Sequence, residues 1–210
     1  MKIISKAGFT LLVLPLLLFV SAGSSNRTEA SLNWSLGLLH VQSGDMLQFI
    51  SPVQSSTGEK FRIVISPEST CFAYVVYESP HGDMIDVIYA GQIKKDETWY
   101  SSILEIILPG GLESFYIIVS LEEQKILTER ISELKQGLEQ RTESSPLAES
   151  SQKLAVMNEI FRLQAEVSQV KEEPPRPALM GGATRGTPGR NRGMEFSGLS
   201  IYVKTINIEH

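Results

Sequence analysis

Residues 200–208 read SIYVKTINI. These nine residues are rich in β-branched and aromatic side chains, and they follow GGATRGTPGRNRG at 181–193, a composition that can bury almost nothing. The first stretch predicts a strand. A lone strand is unstable in water, so this one must join a sheet built earlier in the chain. The fold therefore turns on whether such a sheet exists upstream.

It is expected between residues 38 and 122. Met46–Ile50, Phe61–Ser66, Phe72–Tyr77, Met84–Ala90, Ser102–Leu108 and Phe115–Ser120 are short apolar, β-branched or aromatic runs. Between them stand Ser56-Thr57-Gly58, Ser66-Pro67-Glu68-Ser69, Ser79-Pro80-His81-Gly82-Asp83 and Pro109-Gly110-Gly111, residue types suited to tight turns. Six strands at this spacing, closed by residues 196–210, give a mainly β fold. We expect an antiparallel β-sandwich-like domain with an inserted helical hairpin and a C-terminal closing strand.

The insertion is expected at 123–173. Leu127, Ile131, Leu134 and Leu138 recur at spacings of four, three and four, which places them on one helical face. After Ser144-Ser145-Pro146 the period resumes with Val156, Ile160, Leu163 and Val167. Pro174-Pro175 ends the second helix. Residues 174–195 are then expected to be a disordered Pro/Gly/Arg-rich loop that carries the chain back to the sheet. Its length costs little, because closure entropy grows only logarithmically.

The N-terminus reads as an address. Lys2 and Lys6 precede an apolar run from Gly8 to Val20, and Val20-Ser21-Ala22 has the small residues of a cleavage site. The run is short of the roughly 20 residues a membrane span needs. A cleaved signal peptide at 1–22 is expected, with a retained anchor as the alternative, followed by a flexible mature N-terminus at 23–37. The sole cysteine is Cys71, so a cysteine-anchored lipoprotein and an intramolecular disulfide are both excluded. Loss of Lys2 and Lys6 with the leader takes the net charge from −5 to −7, with 17 basic residues against 24 acidic ones. That balance argues against nucleic-acid binding. An exported bacterial protein, periplasmic or secreted, is expected, with no stable membrane span after cleavage.

Gly44-Asp45 leading into Met46-Leu47-Gln48-Phe49, Tyr74-Val75-Val76-Tyr77 before a Gly-Asp turn, and Gly111-Leu112-Glu113 before Tyr116–Ser120 resemble a bacterial exported family, domain of unknown function 4384, over residues 38–125. The resemblance implies a β-rich envelope module, often joined to other domains, with no established catalytic residues. The helices and the Arg-rich segment lie outside it.

Candidate chemistry is sparse. Cys71 and His81 could be a nucleophile and its base, but at about 3.3 Å per residue one strand holds them more than roughly 20 Å apart. A buried hydrophobic role suits Cys71 better. His40, His81 and His210 are scattered, and His81, Asp83 and Asp86 form the one compact group of possible metal ligands, with turn composition as the simpler reading. Glu105 and Glu113 flank a strand and a turn, where a solvated face is the ordinary explanation. Arg176, Arg185, Arg190 and Arg192 could attract anions, but no aromatic interleaves with them. There is no G-x-S-x-G elbow, P-loop or H-E-x-x-H motif.

The expected function is accordingly noncatalytic and cofactor-free: an envelope module engaging a protein partner, or itself, through the helical hairpin. The candidate partner-binding residues are Leu127, Ile131, Leu134, Leu138, Val156, Ile160, Leu163 and Val167. If those faces instead cover each other or the sheet, the hairpin is structural. A ligand-binding sandwich for a glycan or metal, and an envelope hydrolase with a dispersed site, are the alternatives.

Overall fold

The computed structural model describes residues 31–107, 110–139, 146–170, 174–179 and 192–210. The expected leader, and Arg185 and Arg190, lie outside them.

Two sheets face each other. One contains, in spatial order, β10 (Arg176–Leu179), β11 (Arg192–Phe196), β1 (Trp34–His40), β4 (Lys60–Pro67) and β7 (Trp99–Tyr100), with β2 (Met46–Leu47) beside β1 and β8 (Leu104–Glu105) beside β4. The other runs β3 (Val53–Gln54), β12 (Ile201–Glu209), β9 (Leu112–Ser120), β5 (Cys71–Glu78) and β6 (Ile85–Ile93). The long pairs are antiparallel, and the short β3 joins β12 in parallel. The mainly β, sandwich-like class expected from sequence is the observed one.

Residues 200–208 do join the sheet built upstream. β12 pairs along its whole length with β9, from Ile201 opposite Ser120 to Glu209 opposite Leu112. It closes the sheet from within rather than at its rim, because β3 adds to its other side. Alternation then divides the side chains. Tyr202, Ile206 and Ile208 from β12 enter the core between the sheets with Phe115, Ile117 and Val119 from β9. Val203 faces the opposite way with Tyr116 and Ile118.

That second face is covered by α1 (Lys125–Glu139) and α2 (Pro146–Ser168). Leu127, Ile131, Leu134, Val156, Ile160 and Leu163 pack on Tyr74, Val76, Tyr116 and Ile118. Tyr74 pins the start of α1: its hydroxyl accepts the Gln124 N–H at 3.1 Å and pairs with Thr128 Oγ1 at 2.9 Å. At Gly137 of α1 an added Cβ would meet the Gln152 side-chain amide of α2, which would have to move aside. Neither helix is long and apolar enough to cross a membrane.

Four expectations need correction. The segment expected to be a flexible N-terminus, 23–37, holds four of the seven residues of β1, because Leu32, Trp34, Leu36 and Leu38 alternate inward and are buried. The strand expected at Met46–Ile50 stops at Leu47 and leaves Ile50 exposed. That expected at Ser102–Leu108 is reduced to Leu104–Glu105, since only there does it pair with β4. The ends of the expected loop at 174–195 form the antiparallel pair β10–β11, and β11 also pairs with β1, where Phe196 stacks on Trp34 at 4.9 Å.

If β12 is integral to the core, Ile206→Ala should cost about 2 to 5 kcal/mol. Urea unfolding should show this as a lower midpoint with an unchanged slope.

Candidate functional site

The eight helical residues proposed to meet a partner are turned inward. Leu127, Leu134, Val156 and Ile160 have no exposure, Ile131 and Leu163 almost none, and Leu138 and Val167 are half-buried against the same cluster. This is the arrangement in which the hairpin covers the sheet. Those side chains are already occupied by Tyr74, Val76, Tyr116 and Ile118.

The other candidates are not assembled either. Cys71 is fully buried and begins β5, whereas His81 lies in the turn beyond the far end of that strand. Burial pushes the Cys71 thiol up to about 11, so it is protonated at neutral pH. In the expected metal group, Asp83 accepts a hydrogen bond from Ser79 Oγ, which holds its carboxyl below the usual range, and Asp86 Oδ1 accepts the Val87 N–H at 2.8 Å. Both serve local backbone geometry. Among the described residues no three His, Cys, Asp or Glu side chains converge as metal ligands. His40 bonds Ser43 and packs on Phe61. Arg176 lies on β10 and Arg192 on β11.

What the fold does build is a cleft of about 230 Å³ at one end of the sandwich, walled by both sheets. Tyr77 from β5, Asp86 and Ile88 from β6, and Glu113 and Phe115 from β9 form one side. Ile103, Leu104, Glu105 and Ile107 form the other, with Met84 at the edge. Glu105 and Glu113, distant in sequence terms from any shared motif, therefore line one space. Glu105 is half-exposed and pairs with Lys60 at 3.4 Å, a contact worth little in water.

Glu113 is different. Its side chain is 6% exposed, and His210 Nε2 lies 3.2 Å from its Oε1. The His210 side chain is itself 1% exposed, and neither ring nitrogen has a hydrogen-bond partner aligned with it. Two backbone bonds hold the pair in place: Gly111 N–H to His210 O at 2.9 Å, and His210 N–H to Gly111 O at 3.1 Å. Gly111 sits at φ +147°, and a Cβ there would come within 2.6 Å of Pro80, so the approach needs glycine. Burial raises the Glu113 carboxyl above its usual range, and the nearby imidazole only partly offsets this. Burial, with Glu113 and Asp83 adding to it, pushes the Tyr77 phenol up to about 12.

A larger cleft of about 540 Å³ lies where α2 passes β9 and β12. Its buried polar group is satisfied internally: Ser120 Oγ donates to the Glu122 carbonyl and accepts from Gln124 Nε2. No protein-family model matches the chain, and no curated protein is similar to it.

The Glu113–His210 pair was missed in sequence because the two residues are far apart, yet each carries a local sign. Glu113 is in phase with Phe115, Ile117 and Val119, and His210 with Ile206 and Ile208, so both continue an inward-facing row.

The raised Glu113 pKa has a definite sign. Folding favours the protonated carboxyl, so this group supports stability below its unfolded pKa and withdraws that support as pH rises through the folded value. Glu113→Gln should therefore match the parent protein near pH 4 and melt at a higher temperature than the parent at pH 8. Thermal melts of both proteins across that range will show whether the difference opens with rising pH.

Proposed function

We propose that the chain is an exported, noncatalytic module of a bacterial envelope that binds a protein partner through the open end of its sandwich, with the helical hairpin serving as structural cover. The observation that carries this reading is the apolar rim of the cleft. Ile103, Ile107 and Met84 are 47%, 58% and 47% exposed beside a buried carboxylate. Single exposed apolar residues are ordinary, but a group of them around a concave opening marks a contact surface. The export leader and the resemblance over residues 38–125 support the compartment.

The long outer edge of β6 is a poorer candidate. A bulge shifts the register between Val75–Tyr89 and Val76–Val87 and leaves Ile88 unpaired. Asp86 takes the Val87 N–H, and the Tyr89 hydroxyl donates to the Gln92 carbonyl at 3.0 Å. Such features block strand addition.

Crosslinked capture from envelope fractions tests the reading with two surface variants. Ile103→Ser with Ile107→Ser should lose the partner, whereas Ile126→Ser with Leu154→Ser, exposed on α1 and α2, should retain it. Retention by the first variant and loss by the second would move the contact surface to the hairpin.

A further inference from the structure

We infer that Glu113 and His210 form a one-proton latch at the end of the β9–β12 ladder. The latch is closed while the two side chains hold a single proton between them. It opens when that proton is lost or a second is gained, and Glu209 and His210 then leave β9. The device goes beyond the binding reading and does not depend on it.

The first support is that two ionisable groups are buried together. Glu113 is 6% exposed and His210 1%, with the imidazole Nε2 3.2 Å from the carboxyl Oε1. With one proton between them the pair has no net charge, whichever side chain carries it. Without that proton a carboxylate is buried beside a neutral ring. With a second, an imidazolium is buried beside a neutral carboxyl. Either uncompensated charge costs far more in the interior than in water, so the two groups titrate as a unit.

The surrounding elements supply no substitute partner. On β5 the Tyr77 phenol, pushed up to about 12, stays neutral across the ordinary pH range. In the turn after β5, Asp83 is held by Ser79 below the usual carboxyl range. Asp86 and Glu105 line the same cleft, and Lys60 is engaged with Glu105 at 3.4 Å. Glu209 accepts a hydrogen bond from Gln54 Nε2 at 2.7 Å. Among the described residues, His210 is the charge that offsets the burial of Glu113.

The second support is mechanical. The pair sits where β12 ends against β9, held by the Gly111 N–H on His210 O at 2.9 Å and the His210 N–H on Gly111 O at 3.1 Å. A Cβ on Gly110 would come within 2.8 Å of that same oxygen, so two glycines admit the close approach. One residue back, Glu209 O accepts the Ser55 N–H at 2.9 Å. Behind it Ile208 is fully buried and the ladder continues to Ile201, which limits the release. Freeing two residues brings both ionisable groups to water for the loss of a few terminal bonds, whereas global unfolding forfeits the core. Charge imbalance is therefore relieved locally. Glu113 lines the cleft, so release also opens the cleft's inner end.

The signs of the two limbs follow. Burial raises the Glu113 carboxyl, so the closed form is supported below the unfolded value and loses that support as pH rises through the folded one. On the acid side the open form takes up the second proton more readily, so closure weakens as pH falls.

Hydrogen exchange followed by NMR on the isotope-labelled protein between pH 4 and pH 9, corrected for intrinsic rates, tests the latch. Protection of the Gly111 and Ser55 amides should peak at an intermediate pH and fall on both sides by up to about tenfold per pH unit, as one linked proton requires. Val75 and Ile117 should stay level. Glu113→Gln should abolish the alkaline fall and His210→Gln the acid fall, with Val75 and Ile117 still protected in both variants as proof of folding. A level curve at Gly111 and Ser55 would overturn the inference, as would either fall persisting in the variant meant to remove it. A fall on one side alone would overturn the pairing and leave a single titrating group. Val75 and Ile117 losing protection in step with Gly111 would show global titration and rule out a local latch.

Discussion

The nine-residue ladder between β9 and β12 is the contact on which the rest of this structure depends. It joins a strand near residue 115 to one near residue 205, with both helices inserted between them in sequence. Such long-range closure is slow to form, because the intervening chain must be organised or looped out first. Once formed, it supplies inward residues to the core between the sheets and outward ones to the helix interface. The two apolar clusters therefore share one sheet as their common wall.

That sharing explains why the hairpin has little apolar surface left to offer on its periodic face. β9 is buried along most of its length, since its inner face meets the opposite sheet and its outer face meets the helices. A sheet covered on both sides reads as a near-continuous apolar run, as Phe115–Ser120 does. The periodic leucines, isoleucines and valines of α1 and α2 are the cover it requires. The same ladder ends in the Gly111–His210 backbone pair, which brings His210 to Glu113 at the open end of the sandwich.

Much of this was legible in the sequence. The short apolar and aromatic strands at 61–66, 72–77, 84–90 and 115–120, the terminal strand and both helices follow from composition, periodicity and turn chemistry. Pattern alone could not decide which face of the hairpin was covered, because a partner and a neighbouring sheet demand the same leucine spacing. The strand at 34–40 was hidden by its setting. Asn33, Ser35 and Gly37 interrupt it, and only the two-residue phase of Leu32, Trp34, Leu36 and Leu38 betrays it. Strand length failed where tertiary pairing was the limit, as at 104–105, where β4 offers partners to two residues only. Glu113 was assigned to a solvated face because it is charged, although its phase with Phe115 and Ile117 points inward. Chemistry outweighed period there, and a buried charge is where such a choice fails.

Native-state hydrogen exchange on the amides of β12 addresses the central claim most directly, namely that the terminal strand is part of the cooperative core. Exchange from Tyr202, Val203 and Ile206 should require opening within about 1 kcal/mol of that for Ile117 and Val75, as expected for one folding unit. Release of β12 by a local opening several kcal/mol cheaper than β5 and β9 would contradict it, and would make the strand a detachable flap on a sandwich that stands without it.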